Sequence, residues 1–230
     1  MNHKVPKTAS LRNCTVSIIG DSYSTFEGWI PQGQAWYYPK PAKVEDVLLV
    51  EHTWWYQLLK RRNMQLVVND SYSGSTVCTD VREDLPAHSS FIHRMKNTMS
   101  GTSSHIKPDC IFIFGCTNDT WLSRTVGEIQ YDHWTKEDLA KILPAYCCLL
   151  NYITQNNPQA ICISIINDLI TEQIRQGLLT AGKHYGVMSI ELQDIQKMSR
   201  HPSNIGMQQI AEQVNTALES YLMDLESRTV

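Results

Sequence analysis

Short runs of apolar and β-branched residues alternate along the chain with segments in which apolar residues recur every three or four positions. The short runs are continuous, which is typical of strands that are buried on both faces of a parallel sheet. They lie at Cys14–Ile19, Leu66–Asn69, Cys110–Phe114, Ala160–Ile166 and Val187–Ile190. The pattern therefore predicts five parallel strands with helices on both faces, an α/β fold.

The longer segments predict helices. Residues 140–153 have helical periodicity, Thr135 is placed to cap that helix, and Pro144 either kinks it or begins its second part. A second helix runs from about Met207 to Leu222, with apolar residues spaced by three and four. The buried face of a further helix is predicted at Trp54, Trp55, Leu58 and Leu59.

Reactive or polar residues follow the predicted strands. Ser22 follows the first strand, Gly74 the second and Asn118 the third, while His201 comes after the fifth. Ligand sites in such sheets lie outside the carboxyl ends of the strands, so we expect these residues at one edge. A serine nucleophile, a histidine base and N–H donors for an oxyanion are the groups that acyl transfer requires.

Four short blocks carry a family resemblance. They are Gly20-Asp21-Ser22, Gly74, Gly115-x-x-Asn118-Asp119 and His201-Pro202. In this order they resemble the SGNH (GDSL-type) hydrolases, a group of esterases and acylhydrolases, over residues 14–215. The resemblance implies a flavodoxin-like three-layer α/β/α sandwich with a five-stranded parallel sheet. We expect one domain over residues 1–230, with a core from about 14 to 225.

The resemblance also implies a role for each matching residue. Ser22 would be the nucleophile, and His201 the general base and then the general acid. The backbone N–H groups of Ser22 and Gly74 and the side-chain amide of Asn118 would form the oxyanion hole. Asp21 and Asp119 are expected to order their turns rather than to react. No cofactor is implied, and the sequence contains no metal-binding motif.

The chain departs from the family pattern at one position. The family usually has an aspartate three residues before the histidine, where this chain has Met198, and the nearest upstream carboxylate is Asp194. Three interpretations follow: a backbone carbonyl holds the imidazole in a Ser–His dyad, Asp194 is the third member of a triad, or a carboxylate from elsewhere serves. We favour the dyad, because a carbonyl also accepts the Nδ1–H bond that fixes the tautomer.

Aromatic residues crowd the segment 25–41 directly after Ser22. Trp29, Trp36, Tyr37 and, after the third block, Trp121 are candidates for substrate binding, since long loops beside a site commonly bind ligands. The alternative is that these rings pack the loop onto the body of the protein. The expected substrate is a small acyl ester, such as an O-acetyl group on a carbohydrate. Two alternatives are a lipase- or thioesterase-type acylhydrolase and a non-catalytic module that binds acylated ligands.

Composition limits the other classes of function. Lys and Arg number 20 against 23 Asp and Glu, and no basic block occurs, which argues against nucleic acid as a partner. The apolar runs are too short to span a membrane. Seven cysteines, an odd number, predict unpaired thiols in a reducing cytosol. Residues 1–12 show no apolar signal-peptide region, so we expect a cytoplasmic protein, of an oligomeric state that the sequence leaves open.

Overall fold

The five predicted strands are present and form one parallel sheet. The computed structural model describes residues 11–40, 45–79, 86–96 and 106–227, so the N-terminal segment 1–10 used above and Pro41 lie outside the described residues. Each strand begins and ends within two residues of its prediction. The strands are β1 (Thr15–Gly20), β2 (Gln65–Ser71), β3 (Cys110–Gly115), β4 (Ile161–Ile166) and β5 (Met188–Glu191).

The strand order is β2-β1-β3-β4-β5, with every neighbouring pair parallel. This is the flavodoxin-like order, in which the chain changes direction across the sheet between β1 and β3. The carboxyl ends of strands on either side of such a switch point leave a crevice for a ligand. The residues that follow β1, β2 and β3 are thereby brought to the same edge.

Helices cover both faces, which confirms the three-layer α/β/α arrangement. Residues of the central strands β1, β3 and β4 pack into both layers: Phe112 of β3 packs in one cluster with Trp54 and Val214, whereas Ile113 packs in the other with Leu150. The helices are α1 (Trp54–Arg62), α2 (Phe91–Arg94), α3 (Thr117–Trp121), α4 (Lys136–Leu139), α5 (Ile142–Asn156), α6 (Glu172–Tyr185) and α7 (Asn204–Ser227).

The helix predicted around residues 140–153 is two helices. Thr135 caps α4 and forms a capping box with Asp138, and α5 begins at Ile142. Pro144 lies in the first turn of α5, where its missing N–H removes no helical hydrogen bond. Of the two alternatives for Pro144, the structure therefore supports the one in which it begins the second part. The predicted α1 face is buried as expected.

A small antiparallel hairpin lies between β5 and α7 and was not predicted. It consists of β6 (Lys197–Met198) and β7 (His201–Pro202). Strands of two residues are too short to show periodicity, so the sequence pattern contains no signal for them. The hairpin carries the candidate catalytic histidine.

The cysteines are free thiols. All seven lack a disulfide, and only Cys148 is not fully buried. Burial raises the pKa of Cys14 to about 11 and that of Cys162 to about 12, which makes both thiols unreactive at neutral pH. Within the described ranges, no helix combines the length and apolar character that crossing a membrane requires. In the same ranges, no group of three or more His, Cys, Asp or Glu side chains is arranged to hold a metal ion.

Candidate active site

Ser22 lies in a tight turn at the carboxyl end of β1. It begins a short 3-10 helix, Ser22–Ser24, whose N-terminus is capped by Asp21: Tyr23 donates its backbone N–H to Asp21 Oδ1 over 3.0 Å. The backbone N–H of Asp21 donates to the carbonyl of Phe114 in β3, which fixes the turn to the sheet. Asp21 is fully buried, and this burial raises the pKa of its carboxyl to about 7.

His201 is presented by the tight turn of the β6–β7 hairpin. The two turn residues, Ser199 and Arg200, both have positive φ, as in a type I′ turn. Tyr23 donates its hydroxyl hydrogen to the Arg200 carbonyl over 2.6 Å, which holds the turn close to Ser22. Met198, at the position of the family's aspartate, pairs with His201 across the hairpin.

The Ser22 and His201 side chains are in hydrogen-bond contact. Nε2 of His201 lies 2.9 Å from Oγ of Ser22, and Nδ1 lies 3.2 Å from the carbonyl oxygen of Ser199. A carbonyl oxygen can only accept, so the nitrogen that faces it carries the hydrogen. The other nitrogen, Nε2, is then the acceptor for the Ser22 hydroxyl. This is the tautomer that a general base for a serine nucleophile requires.

Asp194 lies on the surface and has a positive φ of 52°. Together with Glu191 and Gln193 it borders a shallow cavity of about 280 Å³ beyond the ends of β4 and β5. The neighbouring carboxylate of Asp168 instead supports the hairpin, because it accepts from the backbone N–H of Ile195 and lies 2.5 Å from Nζ of Lys197. The structure thus places the Ser199 carbonyl, and not the Asp194 carboxylate, beside Nδ1 of His201.

Gly74 lies in the turn after β2, and Asn118 lies in the first turn of α3. Gly74 has φ +85°, a conformation that side-chain-bearing residues rarely adopt. Asn118, near the start of α3, donates one Nδ2–H to the carbonyl of Ser75 over 2.9 Å. An amide nitrogen carries two hydrogens, so this bond orients Asn118 and leaves its second N–H available as a donor. Asp119 accepts from the backbone N–H groups of Val77 and Cys78, which orders the loop after Gly74.

A buried guanidinium connects these loops. Arg94 of α2 donates to the carbonyl of Gly20 and to Oγ of Ser75, each over 3.1 Å, and to the carbonyl of Asp70. Its Nη1 lies 3.5 Å from the carboxylate of Asp70, in an ion pair that is almost fully buried. Arg94 therefore ties together the ends of β1 and β2 and the turn at Gly74. Sequence reasoning missed it, because an arginine is ordinarily exposed.

The aromatic candidates divide into two groups. Tyr37 is buried and stacks on the imidazole of His201, and Trp121 meets the same ring edge-on, with 5.7 Å between the centroids. Trp29 packs against Trp55 of α1 but stays 43% exposed, and Trp36 is 40% exposed. Packing onto the body of the protein thus holds for Tyr37, whereas substrate binding by the exposed Trp29 and Trp36 stays a prediction.

The backbone of the aromatic segment runs along the site. The carbonyl of Ala35 accepts from the backbone N–H of Ser73, the residue before Gly74, over 2.8 Å. Two residues after Ala35 comes Tyr37, which stacks on His201. Trp36 stands between Ala35 and Tyr37 in the chain, and its side chain is partly exposed.

Comparison with known proteins identifies the family. The model of the GDSL-like lipase/acylhydrolase family matches residues 14–218. The chain belongs to this family. It is accordingly a hydrolase. No curated protein sequence matches the chain.

Solved structures agree with this assignment. A candidate GDSL-like lipase from Bacteroides uniformis is 42% identical, with a TM-score of 0.83, and the match covers 90% of this chain and 96% of that one. A candidate GDSL-like lipase from Bacteroides ovatus is 39% identical, with a TM-score of 0.83 and coverage of 90% and 98%. A family two carbohydrate esterase from Clostridium thermocellum, solved with cellohexaose, is 15% identical, with a TM-score of 0.60 and coverage of 92% and 65%, and shares the fold.

Proposed function

We propose that this protein is a serine esterase that removes small acyl groups, with O-acetyl groups on carbohydrates as the favoured substrate class. The observation that carries the proposal is the continuous contact from Ser22 Oγ through the imidazole of His201 to the carbonyl of Ser199. A hydroxyl bonded to an imidazole of fixed tautomer is what an activated nucleophile requires.

The first half-reaction transfers the acyl group to the enzyme. Ser22 Oγ attacks the ester carbonyl carbon while Nε2 of His201 takes the hydroxyl proton. The negative charge that develops on the carbonyl oxygen is stabilised by the backbone N–H groups of Ser22 and Gly74 and by the second Nδ2–H of Asn118. The imidazolium then gives its proton to the departing alcohol, and the acyl group remains esterified to Ser22.

The second half-reaction repeats this chemistry with water. Nε2 of His201 takes a proton from the water as its oxygen attacks the acyl carbon, and the same N–H donors stabilise the second oxyanion. Collapse of this intermediate returns the proton to Ser22 Oγ and releases the carboxylic acid. Because His201 must be neutral to act as the base, activity should fall in acid, where the imidazole is protonated.

The aromatic segment supports the carbohydrate as the substrate. Trp36, the neighbour of Tyr37 in the chain, has a partly exposed side chain, and so does Trp29 on the same segment. Indole rings offer the flat apolar faces on which sugar rings pack, whereas a long acyl chain requires an aliphatic groove. A carbohydrate esterase that shares the fold was solved in complex with cellohexaose, which is consistent with a glycan substrate for this protein.

The proposal is tested by hydrolysis of p-nitrophenyl acetate, p-nitrophenyl decanoate and acetylated xylan, with Ser22→Ala as the matched control. We expect turnover of both acetyl esters, little turnover of the decanoate and no activity of the variant. A fluorophosphonate probe should label the wild-type protein and not Ser22→Ala. Equal labelling of both proteins would exclude Ser22 as the nucleophile, and a preference for the decanoate would point to a lipid substrate.

A further inference from the structure

Tyr37 lies flat against the imidazole of His201. The two ring centroids are 3.5 Å apart and the planes differ by 9°. Tyr37 is 8% exposed, and the rings of Tyr23 and Trp121 approach the same imidazole at 5.4 and 5.7 Å. A stacked ring on one face and two more aromatic rings nearby leave the imidazole little freedom to tilt away from Ser22.

Tyr37 is itself fixed by hydrogen bonds and by charge. Its backbone N–H donates to Oγ1 of Thr25 over 2.9 Å, and its hydroxyl donates to Oε1 of Glu45 over 2.6 Å. Glu45 is 6% exposed. The ammonium of Lys40 lies 3.6 Å from the centre of the Tyr37 ring. Since the imidazole covers one face of that ring, Lys40 occupies the other.

The ring face carries the negative end of the aromatic quadrupole and attracts cations. In the proposed reaction the imidazole becomes a cation whenever it takes a proton from Ser22 or from water. The stack therefore favours the charged form of His201 at the step where charge develops. Glu45 adds negative charge at the hydroxyl end of the ring, and Lys40 opposes it from the far face.

We propose that Tyr37 and Glu45 act together as positioning residues for His201 and perform part of the role of the aspartate that Met198 replaces. The inference rests on the proposed function. The Ser199 carbonyl fixes the tautomer, the Tyr37 ring holds the plane of the imidazole and favours its cation, and Glu45 anchors and polarises Tyr37. In a triad one carboxylate both fixes the tautomer of the histidine and stabilises its cation. Here the Ser199 carbonyl, Tyr37 and Glu45 share these two tasks.

Replacement of the ring tests the stack. We expect Tyr37→Leu to lower kcat on p-nitrophenyl acetate by about 10- to 30-fold with KM within about two-fold, because the loss falls on the imidazolium and not on the substrate. Fluorophosphonate labelling of Ser22 should slow in parallel. Tyr146→Leu is the matched control: Tyr146 is a buried tyrosine of α5 that donates to Ser164, and its replacement should reduce stability without changing kcat.

A second series keeps the shape of the ring, in case Tyr37→Leu does not fold. Phenylalanine with none, one, two or three fluorine atoms is incorporated at position 37, which weakens the ring quadrupole stepwise. We expect kcat to fall with each fluorine. A flat series, or a change in KM alone, would overturn the role of the ring and make Tyr37 a structural or substrate-contacting residue.

The charges are tested at Glu45 and Lys40. We expect Glu45→Gln to lower kcat by about three-fold or more and Lys40→Met to raise it by about two-fold, because opposite charges act on one imidazolium. If both variants change kcat in the same direction, or neither changes it, the electrostatic part of the proposal is wrong. If Ser22→Ala and His201→Gln are both fully active, the proposed function itself is wrong. If both are inactive while Tyr37→Leu keeps the wild-type kcat, only the positioning role is wrong.

Discussion

The carbonyl oxygen of Ser199 lies 3.2 Å from Nδ1 of His201, two residues further along the chain. The contact is made within the hairpin turn that also presents the imidazole, so the acceptor and the histidine move as one unit. A backbone carbonyl has no proton to lose or gain in the working pH range. The carbonyl that holds the base in its active tautomer therefore does not itself titrate.

The first prediction concerns Asp194. Asp194→Asn should leave kcat within about two-fold of the wild-type value, because the Asp194 side chain is exposed and the Ser199 carbonyl already accepts from Nδ1. Steady-state kinetics on p-nitrophenyl acetate measure this, with His201→Gln as the inactive reference. A loss of several orders of magnitude in Asp194→Asn would show that this carboxylate completes a triad in solution.

The second prediction concerns the oxyanion hole. Asn118→Ala should lower kcat by about 100-fold or more, because one oxyanion donor contributes about 2.7–4 kcal/mol to the transition state. Asn215→Ala is the control: Asn215 is also buried, and it accepts from Arg62 on the α1–α7 side of the sheet. That variant should lose stability and keep its kcat. Comparable kcat values for the two variants would remove Asn118 from the oxyanion hole.

The third prediction concerns the buried ion pair. Arg94→Met should lower the free energy of unfolding by about 3–5 kcal/mol, because it leaves the carboxylate of Asp70 buried without its cation. Urea denaturation measures the change. The double variant Arg94→Met/Asp70→Asn should recover part of the loss, since the second change removes the unpaired charge. If Arg94→Met unfolds at the wild-type urea concentration, the guanidinium does not hold these loops together.

Continuous apolar runs were sufficient to predict all five strands, because a buried parallel strand has no polar face to interrupt the pattern. Ser22, Gly74, Asn118 and His201 could be singled out as candidates because they follow those strands in family order, and the structure brings Ser22 and His201 into contact. The contacts that complete the site could not be predicted. Tyr37 reaches His201 only through tertiary packing, and the Ser199 carbonyl belongs to the backbone, so no side-chain pattern marks either contact.

The fourth prediction concerns substrate binding. Trp36→Ala should raise KM for acetylated xylan several-fold and leave KM for p-nitrophenyl acetate unchanged, because only the glycan is long enough to pack on the exposed ring. Tyr131→Ala is the control, since Tyr131 is 37% exposed and stacks on His184 of α6. Parallel changes for both substrates in Trp36→Ala would mean that the ring supports the loop and does not bind sugar.

The last prediction concerns the pH dependence of stability. Burial raises the pKa of Asp21 from 3.8 to about 7 in the folded protein. The folded state therefore holds this proton more tightly than the unfolded state does. The resulting stabilisation is complete below pH 3.8 or so and is lost as the pH rises through about 7.

Asp21→Asn removes this titration and keeps an oxygen that can accept from the N–H of Tyr23. The free energy of unfolding of Asp21→Asn, taken relative to that of the wild type, should therefore be about 2–3 kcal/mol higher at pH 8 than at pH 5. Urea denaturation of both proteins at the two pH values measures it, and the subtraction cancels every group that the two proteins share. A difference that stays constant, or that moves in favour of the wild type, would mean that Asp21 is ionised in the folded protein throughout this range.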